Sequence, residues 1–91
     1  MGTKQKKQEE FAVLEKEVAL REIILFDDDH NTFDFVIESL IDICGHSLLQ
    51  AEQCTMLVHY KGKCAVKTGE YNELEPKCSR LLELGLTAEI V

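Results

Sequence analysis

The chain has 91 residues, 45% of them apolar, and a net charge of -7. A chain this short buries only about 60% of its unfolded surface, which allows one compact domain and excludes an active site held between two. Its scattered Lys and Arg are the wrong distribution for neutralising phosphates, which excludes a nucleic-acid binder.

Met1 to Glu10 is polar and cannot offset the entropy of its own ordering, so a flexible extension over residues 1–20 is expected ahead of a compact domain over 21–91. Within the extension, Phe11, Leu14 and Val18 sit at helical spacing and permit a short conditional helix. Lys4, Lys6, Lys7 and Lys16 balance Glu9, Glu10, Glu15 and Glu17, so the negative charge belongs to the domain. The start of the chain lacks the apolar run of a secretory signal, and no stretch is apolar enough to cross a bilayer. A cytoplasmic protein is expected.

The domain opens with a strand over Arg21 to Phe26. The polar turn Asp27 to Thr32 follows, and then Phe33, Phe35, Val36, Leu40, Ile41 and Cys44 recur at helical spacing. Asn31 or Thr32 can cap this helix, Asp34 suits its positive end, and Gly45 can close it. Ser47-Leu48-Leu49-Gln50 matches a capping box, with Leu48, Ala51, Cys54, Thr55 and Val58 on one face of a second helix that Gly62 ends. A strand is expected from Lys63 to Thr68, broken at Gly69. Asn72 then reads as the cap of a third helix, with Glu75 as its partner and Pro76 in the first turn, running to Leu84. Leu86 to Val91 supplies a last strand.

The expected fold is α+β: a two-layer sandwich in which a small three-stranded sheet is covered by three helices in the order strand, helix, helix, strand, helix, strand. Cys44, Cys54, Cys64 and Cys78 lack the paired spacing of a zinc site and read as reduced thiols in or beside the core. His30 and His46 read as surface residues. No glycine loop suggests a nucleotide site.

The chemistry therefore lies in Asp27-Asp28-Asp29, where a buried strand meets water. Three adjacent carboxylates repel one another, and their natural partner is a cation: a metal ion, a Lys or Arg, or the ammonium of a peptide.

The turn and first helix read D-D-D-H-N-T-F-D-F-V, and the second helix ends in V-H-Y-K-G-K. These segments resemble the N-D-D-x-T-P-M-E-F-V and V-H-Y-x-G-K signatures of the ClpS family of protease adaptors, with the same element order from about Glu22 onward. The resemblance implies a non-catalytic adaptor without a cofactor. Such a protein binds the free N-terminus of substrates beginning in Leu, Phe, Tyr or Trp and hands them to the N-terminal domain of a Clp AAA+ unfoldase. It implies a monomer with no nucleic-acid or membrane partner.

By the same resemblance, Asp27, Asp28 and His59 accept the α-ammonium, while Asn31, Phe33, Val36, Thr55 and Leu86 form the side-chain pocket and its rim. Lys77, with Asn72 and Glu73, would contact the unfoldase. This chain departs from the pattern. Asp27 stands for Asn, Asn31 for Thr, Thr32 for Pro and Phe33 for Met. Thr55 stands where the family has a Met that excludes β-branched residues, so a wider entrance is expected. Two other readings stay open: a diverged Clp-associated interaction domain without N-terminal recognition, and a small hydrolase whose metal sits on Asp27, Asp28, Asp29 and His59 or His30.

Overall fold

The computed structural model describes residues 19–91, so residues 1–18 of the expected 1–20 extension, which carry Phe11, Leu14 and Val18 of its conditional helix, lie outside the described residues. The element order is β1 (Arg21–Phe26), α1 (Phe33–Cys44), α2 (Leu48–Lys61), β2 (Lys63–Gly69), α3 (Tyr71–Glu83) and β3 (Thr87–Ile90). This is the expected α+β order.

Local chemistry explains most of the boundaries. The Thr32 hydroxyl accepts from the Phe35 N–H and caps α1, and Gly45 closes that helix at φ +71°. Ser47 and Gln50 complete a reciprocal capping box at α2, and Gly62 closes it at φ +90°. Both glycines adopt a left-handed conformation that a side chain would disfavour.

The start of α3 departs from expectation. Its cap is Glu70, which makes no side-chain capping bond, and the helix begins at Tyr71 instead of after Asn72. The Glu70 carbonyl accepts from both Glu73 and Leu74 N–H groups. Starting there completes a stripe in which Leu74, Cys78 and Leu81 are all buried, and that burial outweighs a better cap. Pro76 consequently lies inside the helix, where it cannot donate to the Asn72 carbonyl.

The sheet order is β2-β1-β3, so β1 is central, and both pairings are antiparallel. Ile23 and Leu25 point into the core, at 0% and 1% exposure, and meet Val36, Leu40, Ala51, Val58, Leu74, Leu81 and Ala88. The β1–β2 register shifts between Ile23, opposite Lys67, and Ile24, opposite Ala65. Val66 is therefore left as a bulge residue. Its carbonyl is taken by His46 Nε2 at 2.6 Å. His46 is thus buried, not on the surface as its sequence position suggested. A carbonyl can only accept, so Nε2 carries the proton.

Leu48 also differs from expectation: it is exposed, and α2 buries Ala51, Thr55 and Val58. The four thiols are free, with Cys44 and Cys78 buried and Cys54 and Cys64 half-buried. Among the described residues, no helix is long and apolar enough to cross a membrane.

Candidate functional site

The end of β1, the acidic turn, the start of α1, the last turns of α2 and Leu86, just before β3, converge on one hollow of about 280 Å³. Its lining includes Asp27, Asp28, Asn31, Phe33, Val36, Thr55, His59 and Leu86. Every residue expected to hold a chain terminus therefore borders a single cavity. Its size is near the low end of small-ligand pockets and fits one side chain better than a folded surface.

Asp28 is the ordered acid of the turn. Its side chain is only 11% exposed, whereas that of Asp29 is fully in solvent. Asp28 Oδ1 accepts from the backbone N–H groups of His30, at 3.0 Å, and Asn31, at 2.8 Å. Oδ2 accepts from the Asn31 side-chain amide at 2.9 Å. Burial alone would raise the Asp28 carboxyl, but these bonds and the nearby His30 outweigh it, so its pKa lies below the ordinary 3.8. It stays a carboxylate.

Asn31 does more than line the cavity. Its Nδ2 also donates to the Gly85 carbonyl at 3.0 Å, across 54 residues of chain. That bond ties the acidic turn to the α3–β3 connection, immediately before Leu86.

The apolar wall is built from buried Val36, Thr55, Val58 and Leu86. The Thr55 hydroxyl donates to the Ala51 carbonyl at 2.8 Å, so it asks nothing of a ligand. Phe33, 42% exposed, stands at the rim with its ring 5.2 Å from that of His59 in an edge-to-face contact. Such a pair fixes both rings.

Leu25, Phe26 and Val58 also line the cavity, although they were not among the expected site residues. Their sequence signal was their adjacency to the acidic turn and to His59. Lys77, Asn72 and Glu73 lie apart from this hollow, on α3, with Glu73 and Lys77 on one helical face and Asn72 beside them.

The carboxylates do not assemble a metal set: among the described residues, no group of three or more His, Cys, Asp or Glu side chains is placed to hold an ion. The chemistry on offer is an anionic rim over an apolar floor. It suits a cation joined to a greasy group.

Residues 16–89 match the protein family described as ATP-dependent Clp protease adaptor protein ClpS. The chain is 40% identical over 60 residues to the ATP-dependent Clp protease adapter protein ClpS of Edwardsiella ictaluri, covering 64% of this chain and 57% of that protein. It is 38% identical over 56 residues to the protein of that name from Campylobacter jejuni, covering 59% and 58%. With the one from Acetivibrio thermocellus it shares 30% over 74 residues, covering 81% and 75%. The chain thus spans less than two thirds of the length of the first two relatives. Among solved structures, Agrobacterium tumefaciens ClpS2 bound to L-phenylalaninamide superposes with a TM-score of 0.75 at 23% identity, covering 79% of this chain and 94% of the other. That likeness establishes the fold.

Proposed function

Because the chain belongs to the ClpS family of Clp protease adaptors, we propose that it captures proteins by a free N-terminus bearing a bulky apolar first residue and delivers them to a Clp AAA+ unfoldase. The observation that carries this reading is the meeting of Asp28 and His59 at one hollow with an apolar floor. An α-ammonium has three N–H donors and no acceptor. Asp28, Asp27 and the His59 ring offer it acceptors, while Val36, Thr55 and Leu86 take the side chain. Phe33 closes the rim against His59. The Agrobacterium protein of like fold binds L-phenylalaninamide, a ligand with this pairing of amine and apolar group.

The magnitudes suit a transient adaptor. Charge-assisted hydrogen bonds contribute roughly 1.5 to 3 kcal/mol each, and a buried Leu or Phe side chain about 1.5 to 3 kcal/mol. These gains must exceed the ordering cost of the peptide, and the affinity expected of a transient adaptor is about -8 kcal/mol, or micromolar. No step makes or breaks a covalent bond; the role is that of an adaptor, not a catalyst.

Lys77, Glu73 and Asn72 form the candidate contact with the unfoldase's N-terminal domain, on a surface separate from the cavity. That separation lets both partners bind at once. The protein acts as a cytoplasmic monomer in this reading. Amide chemical-shift mapping with a short Leu-initiated peptide tests the site: shifts centred on Asp28, Asn31, Thr55 and His59 are expected. A map centred on α3 instead would exclude it.

A further inference from the structure

Cys54 and Cys64 stand behind the cavity and take no part in the binding proposed above. Cys64 lies opposite Leu25 across the β1–β2 ladder. Directly paired residues share a sheet face, and Leu25 is a core residue at 1% exposure, so Cys64 faces the helical layer. Cys54 flanks the buried stripe of Ala51, Thr55 and Val58 on α2, and both thiols pack half-buried against the same core. The two thiols are neighbours, and the Cys64 thiol donates to the Ala65 carbonyl at 3.4 Å. Cys44 and Cys78, by contrast, are 2% and 7% exposed.

We propose that Cys54 and Cys64 are an oxidative modification site, which a low-molecular-weight disulfide such as oxidised glutathione converts to a cystine clasping α2 to β2. Burial, followed by the contact with Cys64, pushes the Cys54 thiol up to about 12, so Cys54 does not begin the reaction. The Cys64 thiolate attacks one sulfur of oxidised glutathione, forming a mixed disulfide and expelling a glutathione thiolate. That thiolate takes the Cys54 proton. The Cys54 sulfur then attacks Cys64 and expels the second glutathione. The protein is oxidised by two electrons and the glutathione disulfide is reduced to two thiols.

The bond draws the two sulfurs to about 2.05 Å. Thr55 follows Cys54, and Leu25 pairs with Cys64; both line the cavity. Closing the clasp pulls this turn of α2 toward the sheet and narrows the pocket floor. This last step rests on the function proposed above; formation of the cystine does not.

The test is a titration of the full chain with oxidised glutathione, followed by alkylation and peptide mapping. The expected product is a Cys54–Cys64 cystine with Cys44 and Cys78 still free. Cys54→Ser should stop at a stable glutathione adduct on Cys64, and Cys64→Ser should resist modification at Cys54. A persistent Cys64 adduct in the unsubstituted chain, or first reaction at Cys44 or Cys78, would overturn the proposal. The oxidised protein should also bind a Leu-initiated peptide at least about threefold more weakly, as expected when a preorganised pocket is distorted. Unchanged affinity would overturn the pocket-narrowing step. A cystine in a protein whose reduced form binds no such peptide would support the clasp and remove N-terminal recognition.

Discussion

Asn31 holds Asp28 in place: its side-chain amide donates to Asp28 Oδ2 at 2.9 Å while its backbone N–H donates to Oδ1 at 2.8 Å. The same side-chain amide reaches the Gly85 carbonyl at 3.0 Å. A carboxylate held from two sides keeps its acceptor directions fixed before a ligand arrives, which lowers the ordering cost of binding.

Asn31→Ala should therefore weaken a Leu-initiated peptide by about 1 to 2 kcal/mol, in line with loss of hydrogen bonds to a charged group. Asp28→Asn removes the charge itself and should cost at least as much. Fluorescence anisotropy with a labelled peptide measures both. Equal affinities for the unsubstituted protein and Asn31→Ala would show that the brace has no role.

Acid sensitivity follows from the depressed pKa of Asp28. The stability it contributes is present above its ordinary value of 3.8 and is lost as pH falls through the lower folded value. Binding by this carboxylate should persist to below pH 3.8. In Asn31→Ala, burial is opposed by fewer bonds, so the Asp28 pKa rises and the acid loss begins at higher pH. A carbon-detected NMR titration of the Asp28 carboxyl reads the shift directly; an unchanged midpoint in the variant would contradict it.

Pocket selectivity turns on Thr55, which is 3% exposed and lines the cavity. Thr55→Met should narrow the hollow and penalise Ile- and Val-initiated peptides relative to Leu by about 1 to 3 kcal/mol, the range that pocket shape supplies. The unsubstituted protein should discriminate less. Parallel titrations with the three peptides decide the matter, and identical Leu-to-Val ratios in both proteins would refute the role of Thr55.

His46 and Pro76 affect stability, not recognition. His46→Ala leaves the buried Val66 carbonyl at the bulge without its partner and should cost about 1 to 3 kcal/mol. Pro76→Ala returns a donor to the Asn72 carbonyl inside α3 and should gain up to about 3 kcal/mol. Urea midpoints measure both changes. Peptide affinity at the distant cavity should be unaltered in each.

These two residues also mark where sequence reasoning stopped. Thr32, the Ser47–Gln50 box and the glycines at 45 and 62 act within a few residues of themselves, so the bounds of α1 and α2 could be read directly. The α3 start could not, because burial of Leu74 and Leu81 against distant elements outweighed the attraction of Asn72 and Glu75 as a cap. His46 reads as a surface residue in the sequence; its partner, Val66, becomes available only through a register shift between two strands. The site shows the same division. Its acidic turn and His59 were legible as motifs, whereas the Asn31–Gly85 bond, which joins distant parts of the chain, left no local trace.

The most direct measurement compares one Leu-initiated peptide with its N-acetylated form by isothermal titration calorimetry. Acetylation removes the positive charge and adds bulk where Asp28 and His59 converge. The free peptide should bind with micromolar affinity, about -8 kcal/mol, and the acetylated one should give no measurable heat. Equal binding of the two would mean that the hollow does not read a chain terminus.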